Sequence, residues 1–358
     1  MVDWTSSMQQ TFEYYKVDPN TWENVSPIEN VKSCTITWDS EKDTLGSASI
    51  DMDSMIDECY IRIYLVTIQN GITEKHPLGT FLAQNPGFSF DGKVKSNTVD
   101  AYTTLLELKD DSPPIGYYVA KDKNIMSEAY GILRDNSRLP VVKTDSDKTI
   151  HYDFISETDD SWLTFLMDFI ANADYDLALD EMGTILFSPR QDVTALQPVW
   201  TFDDGNSSIL YPELTFERDL YGIPNVVEVI YSNNEYNYSA TAVNDDENSP
   251  ISTVNRGRRI IYRDSNPEIS GVPSGNEEYD KVRVKEYAEQ LLKNLSSIEY
   301  SVTYEHGYCP VRIGDCVRLN YERSGVTGVK AKVVSQTIKC ETGCSVTEKA
   351  VYTTNLWG

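Results

Sequence analysis

Few side chains in this sequence have the type and spacing to do chemistry. There are 3 histidines in 358 residues, at His76, His151 and His306, and each stands alone in its neighbourhood. A histidine-based metal site or proton relay needs partners at fixed spacing, so none of the three founds one. The 6 cysteines (Cys34, Cys59, Cys309, Cys316, Cys340, Cys344) are too sparse for a disulfide scaffold in a chain this long. Cys340 and Cys344 look like half of a zinc site. The other half is missing, because Cys309 and Cys316 are too far apart and have no paired partner. Most of the cysteines sit in strand-like stretches, where Cys acts as a small apolar residue. The expectation is reduced, mostly buried thiols without metal. A Cys340–Cys344 disulfide is sterically possible, because Gly343 lets the chain turn.

Nucleophile and phosphate motifs are also missing. The sequence has no Gly-x-Ser-x-Gly elbow and no Gly-x-x-x-x-Gly-Lys loop. Gly271–Gly275 (GVPSG) reads as a turn. Acidic runs occur at Asp51, Asp53, Asp57 and Glu58, at Asp145 and Asp147, and at Asp203 and Asp204. A calcium loop arranges its oxygen ligands around a mandatory Gly, and no run has that frame. Asp51 and Asp53 fall on one strand face, opposite Ile50 and Met52, as a solvated or partner-facing acidic surface would. A paired-carboxylate hydrolase needs two acids about 5–10 Å apart on different strands, and nothing among 56 acids selects a pair. Trp162, Phe165 and Phe169 could line a pocket, but at helical spacing they read as core. Asn24-Val25-Ser26 is a glycosylation triplet only on a secretory route. The sequence therefore nominates no catalytic, cofactor-binding or metal-binding residue and implies no cofactor.

The charge balance limits the partners. With 31 Lys+Arg against 56 Asp+Glu, the formal charge is −25. That argues against a sequence-independent grip on nucleic acid and equally against docking on an anionic membrane. The chain has 23 Tyr, 10 Phe and 6 Trp, and disordered acidic tails are poor in aromatics, so it folds. At ~150 residues per domain it holds two to three domains. No apolar run approaches the ~18 residues of a membrane span, and the N-terminus lacks the pattern of a secretion signal, so folding in a cytoplasm is expected.

The elements that must carry these residues change period along the chain. Up to about residue 115 the pattern is β. Cys34, Ile36 and Trp38 alternate with polar residues, as do Ala48, Ile50 and Met52. Cys59–Ile68 is apolar on both faces, as in a covered central strand. Asn70-Gly71 supplies a hairpin turn, and Lys109–Pro114 reads as a domain boundary. From 116 to 199 the spacing is helical at Ile125, Ala129, Ile132 and Leu133. It is helical again at Trp162, Phe165, Leu166, Phe169 and Ile170, with Thr158 as cap and Asp159 and Asp160 on the positive helix end. A hairpin follows through Tyr175, Leu177 and Leu179, the turn Asp180–Gly183, and Ile185 and Phe187 to Pro189. From 200 to 358 β returns, with Asn225–Ser232 a buried strand, Asn233–Gly275 long loops and Glu277–Leu295 a helix. Short strands follow at Glu299–Tyr304, Asp315–Tyr321 and Val329–Lys339.

Two stretches resemble a known family. Ser156–Arg190 resembles a segment of the tailed-phage tail or baseplate hub proteins, the late-control D type, which are related to type VI secretion spike proteins. The residues that carry it are Trp162, Phe165, Leu166, Ile170 and Ala171, then Asp180, Gly183 and Pro189. Pro310 and Gly314-Asp315 resemble a second turn of the family. The resemblance implies an α+β, predominantly β fold. Two tail-tube-like β-barrel or sandwich modules, 1–115 and 200–358, would flank a small α+β domain at 116–199, with a loop-rich and helical insertion at about 233–297. It implies a structural virion protein, a homotrimer forming a pseudo-six-fold ring. That ring would adapt a six-fold tail tube to a three-fold tip and let DNA pass without specific binding. Its partners would be the tail tube protein, a central spike or tip protein and other baseplate proteins. It would be made in the bacterial host cytoplasm, end in the virion tail tip and insert in no membrane. No cell-wall-degrading domain is expected before the end at Trp357-Gly358. The other readings are a virion-associated cell-wall hydrolase and a carbohydrate-binding β protein.

Overall fold

The computed structural model describes residues 2–90, 92–93, 95–218, 220–232, 235–267 and 269–356. Asn233, Asn234 and Glu268 of the expected loop region, and the terminal Trp357-Gly358, lie outside them. The described chain is mostly strand with few helices. It packs as two units: residues 1–214 with 303–350, and 215–302 with 351–358.

In the first unit the alternating sequences become neighbouring strands. Val326–Lys339, Val31–Asp39, Gly46–Met52, Lys95–Thr103, Ile72–Phe90, Cys59–Gln69, Gln9–Val17 and Asn24–Pro27 follow one another across a sheet. Cys34, Ile36, Trp38, Ala48, Ile50 and Met52 are buried together with Ile61, Ile63 and Leu65. Cys59–Gln69 is covered on both faces over most of its length, as its unbroken apolar run implies. Asn70 and Gly71 turn it into the next strand with φ of 52° and 78°. Cys316–Tyr321 pairs antiparallel with Val326–Lys339 and parallel with Trp200–Asp203.

Packing does not part at 115/116 or 199/200. Thr35 pairs with Lys339, so strands from opposite ends of the chain share one sheet. Composition along the chain reports local breaks and is blind to such pairing. Lys109–Pro114 is not a break either, because helix Leu106–Asp110 buries Leu108 and the Asp111 carbonyl accepts from the Trp162 amide at 2.9 Å.

Residues 116–199 lie inside this unit and bring a helical core. Helix Ile125–Asn136 buries Ile125, Ala129, Ile132 and Leu133. Helix Trp162–Ala171 buries Trp162, Phe165, Leu166, Phe169 and Ile170. Phe165 meets Tyr117 and Phe154 edge-on at centroid distances of 5.4 and 5.2 Å. The cap is Ser161, which accepts from the Thr164 amide, and not Thr158. Asp160 instead takes the Glu157 amide at 2.7 Å, closing the turn that leads into the helix. Strands Tyr175–Leu179 and Ile185–Pro189 form the expected hairpin, with Pro189 opposite Tyr175 at its open end.

The second unit sets helix Glu277–Leu295 on a three-stranded sheet of Asn237–Val243, Val226–Ser232 and Ile261–Ser265. Val227, Val229, Tyr238, Ala242, Val284, Ala288 and Leu292 form its core. The stretch expected to be long loops thus holds two strands and the short helix Thr253–Arg256. The small residues Ala240 and Ala242, alternating with Ser and Thr, gave that strand too little hydrophobic contrast to show in the sequence.

Phe165→Ala removes a wholly buried ring with several aromatic neighbours, so it should cost about 3–5 kcal/mol in denaturant unfolding. A cost below about 1 kcal/mol would contradict this packing.

Candidate functional site

The most elaborate polar construction in the first unit surrounds the turn Asp180–Gly183. Its Asp180 carboxylate accepts the Thr184 amide at 2.7 Å, and its carbonyl accepts the Gly183 amide at 3.0 Å. Gly183 has φ of 82°, and a Cβ there would stand 3.0–3.2 Å from Trp22, Thr104 and Thr80. Only glycine meets both demands. The turn's outward carbonyls are then taken up by the sheet. The Met182 carbonyl accepts from Trp22 Nε1 at 2.7 Å and Arg62 Nη2 at 3.1 Å. The Glu181 carbonyl accepts from Thr80 Oγ1 at 3.0 Å. Arg62 is only 2% exposed. It also donates to Thr80 Oγ1, the Trp22 carbonyl and Asn24 Oδ1, at 2.9, 3.2 and 3.1 Å. Among the described residues no carboxylate lies in ion-pair range of it. Four neutral oxygens disperse its charge, and the planar fork of arginine suits that spread.

A second buried network centres on Glu348, which is 0% exposed. Its carboxylate accepts from Tyr304 Oη and Gln336 Nε2, both at 2.7 Å, and stands 3.3 Å from His306 Nε2. His306 Nδ1 donates to the Gly307 carbonyl at 2.7 Å, since a carbonyl can only accept. Burial, then the Glu348 charge, push the Tyr304 hydroxyl well above its ordinary value, so it stays a donor. Phe202 covers the imidazole at 4.5 Å. These groups are closed from solvent and hold strands together.

The turn at Gly314-Asp315 has its own logic. Gly314 has φ of 91°, and the Asp315 carboxylate accepts the Arg312 amide at 2.9 Å. Arg312 Nε reaches Glu181 Oε1 at 2.5 Å. Burial raises the Glu181 carboxyl, with Arg312 opposing. A cavity of about 110 Å³ lies beside this pair, lined by Trp38, Leu78, Tyr308 and Gln336 among others. That volume is too small for a sugar ring. A larger cleft of about 330 Å³ contains Asp168 and Asp176. Asp176 is tied to Arg190 at 2.8 Å.

The residues that sequence singled out stay dispersed. His76 is half-buried against Trp4 at 4.8 Å, and burial lowers its pKa. His151 is exposed. Asp51 accepts from Ser33 and Thr98, whereas Asp53 lies past the strand end, paired with Lys32 at 2.6 Å. Asp145 faces Lys143 at 3.7 Å, Asp203 caps the Gly205 amide at 2.9 Å, and Asp204 binds Arg323 at 3.0 Å. Cys340 sits beside Cys34, its amide donating to the Cys34 carbonyl at 2.9 Å, and burial raises the Cys344 thiol to about 12. Among the described residues no three His, Cys, Asp or Glu gather as a metal site, and no helix is long and apolar enough to cross a membrane. Arg62 and Glu348 escaped the sequence reading. Each had a signal: a lone arginine inside CYIRIYLVTI, and a glutamate at the inward position between Val346 and Ala350.

No protein-family profile and no curated protein sequence matches this chain. Among solved structures, the tail protein from Neisseria meningitidis MC58 superposes with a TM-score of 0.65 at 9% identity, covering 98% of both chains. The 43 kDa tail protein of prophage MuSo2 from Shewanella oneidensis gives 0.62 at 12% identity, over 97% of this chain and 98% of that one. A chain of the Francisella PdpA-VgrG complex gives 0.56 at 9% identity, with 98% of this chain spanning 53% of it. The fold is that of phage tail proteins and of this VgrG-complex chain. The resemblance carried by Trp162, Phe165, Asp180, Gly183 and Gly314-Asp315 holds at the level of fold, and the structure supplies the reason for both turns.

Gly183→Ala should destabilise the first unit by about 1–3 kcal/mol, measured by thermal or denaturant unfolding, because strain and contact add. An unchanged midpoint would contradict the requirement for glycine in this turn. His76 has a pKa below its ordinary 6.5. The unfolded chain therefore takes up this proton first on acidification, so stability falls as pH drops below 6.5. His76→Gln should flatten that fall, and an unchanged pH profile would refute the assignment.

Proposed function

We propose that this chain is a structural tail hub protein. Three copies form a pseudo-six-fold ring that adapts a six-fold tail tube to a three-fold tip or spike, and DNA passes through without specific binding. The observation that carries this reading is agreement of fold along nearly the whole of both chains with tail proteins. The physical requirements fit. A ring in a tail must resist force, and the first unit has a broad sheet whose strands come from both chain ends. The proposed partners are the tail tube, a central spike or tip protein and other baseplate proteins. The proposed place is the virion tail tip.

A hydrolase reading has one specific place to stand, the cleft with Asp168 and Asp176. There Asp176 is already held by Arg190 at 2.7 Å, which ties it down as an ion-pair partner.

Native mass spectrometry of the purified chain should give an assembly of three copies, and a monomer at every working concentration would contradict the ring. Incubation with bacterial cell wall should release no sugar or peptide. Release that disappears in Asp168→Asn would establish the hydrolase instead.

A further inference from the structure

Cations are scarce in a chain of charge −25, yet four arginines, Arg256, Arg258, Arg259 and Arg263, fall within one short stretch of the second unit. Arg256 is engaged locally and donates to the carbonyls of Ile223 and Leu220 at 2.7 and 3.1 Å. The other three are exposed. Glu228 receives Arg263 at 2.8 Å and Arg259 at 3.7 Å. Among the described residues no carboxylate lies in ion-pair range of Arg258. Three exposed guanidinium groups thus share one carboxylate, which pairs with two of them. The cluster sits on and just before Ile261–Ser265, an edge strand of its sheet. Ile261 on this strand, Ile230 on its neighbour and Val243 on the far strand are partly open to solvent. Guanidinium groups with too few counterions repel one another, and a protein partner rich in carboxylates relieves that.

The first unit carries a surface of the opposite kind. The loops at 110–118 and 155–162 run side by side, joined by Ser156 N to Tyr117 O at 3.0 Å and Trp162 N to Asp111 O at 2.9 Å. A tight turn closed by Tyr117 N to Pro114 O at 2.8 Å, with Gly116 at φ 80°, holds Ile115 99% exposed. Tyr118 and Ile155 face each other across the adjoining two-stranded ladder, both exposed. Asp110, Asp111, Glu157, Asp159 and Asp160 border this knob, and among the described residues no Lys or Arg lies in ion-pair range of them. The turn presents its apolar side chains rigidly, so little ordering entropy opposes docking.

The geometry points to a head-to-tail contact between two copies of this chain, in which the arginine-bordered strand Ile261–Ser265 of one copy docks on the acid-bordered Ile115/Tyr118/Ile155 knob of the next. Such a heterologous contact joins different patches on the two partners and closes into a ring when its rotation allows. The inference rests on the ring reading above and names its contact surface. Nucleic acid would satisfy the arginines but leave the acid-bordered apolar knob without a partner, whereas a second copy answers both surfaces.

Sedimentation velocity on the full-length chain tests this with three variants. Arg258→Glu/Arg259→Glu and Asp110→Lys/Asp159→Lys should each raise the dissociation constant of the assembly about a hundredfold. The chain carrying all four substitutions restores opposite charges and should reassemble. Wild-type assembly should weaken as salt rises. Circular dichroism should be unchanged throughout, because all four side chains are exposed. Wild-type-like assembly of the arginine variant overturns the inference and leaves the ring standing. Failure of the fourfold chain to reassemble overturns the pairing of these two surfaces. Arginine-dependent retention of duplex DNA by the wild type, without a change of assembly in the arginine variant, assigns the cluster to nucleic acid. A wild type that never assembles overturns the ring reading itself.

Discussion

A guanidinium cation buried without a carboxylate must be surrounded by oxygen, and Arg62 meets that need by drawing the rest of the first unit around it. Its acceptors come from Trp22, from Asn24 at the start of strand Asn24–Pro27, from Thr80 on the next strand and from Met182, 120 residues along the chain. Loss of any one would leave charge and carbonyl unpaired in a dry interior, which costs more than the bonds contribute when made. The turn Asp180–Gly183 is therefore held to one position. Its hairpin is the floor on which helix Trp162–Ala171 packs, and Leu179 touches both the helical core and the sheet core. One cation thus fixes how the helical segment meets the sheet.

The sheet needs a second fastening because its strands come from both ends of the chain. Val326–Lys339 pairs with Val31–Asp39. Glu348, Gln336, Tyr304 and His306 form a closed polar cluster behind that joint. Buried polar partners of this kind reject registers that an apolar core alone would tolerate, because a slip would leave them unpaired. Arg62 and Glu348 act alike: each is a charge buried in a sheet and neutralised by geometry.

The sequence made the local elements legible. Period-2 strands such as Gly46–Met52 and period-3.6 helices such as Glu277–Leu295 announce themselves because burial of one face dictates the pattern. The turns at Asn70-Gly71, Gly183 and Gly314 announce themselves because positive φ demands particular residues. The cap at Ser161 was misplaced to Thr158 because Ser, Thr and Asp in succession all qualify, and only packing of Trp162 chooses among them. Long-range pairing was invisible, so the division at 115/116 and 199/200 did not anticipate one unit built from both termini. Arg62 and Glu348 were overlooked because a buried charge looks like a surface charge until its partners are known.

A tail hub that passes DNA must not hold it, and every cation on the channel wall adds a phosphate contact. An excess of acids makes a repellent wall simple to build, and in the proposed ring the exposed arginines serve contacts between copies. Electron cryomicroscopy of the assembled chain tests this account most directly. It predicts three copies around an open axis, with Asp and Glu outnumbering Lys and Arg on the strands that face it. A closed axis, or a wall of net positive charge, would contradict it.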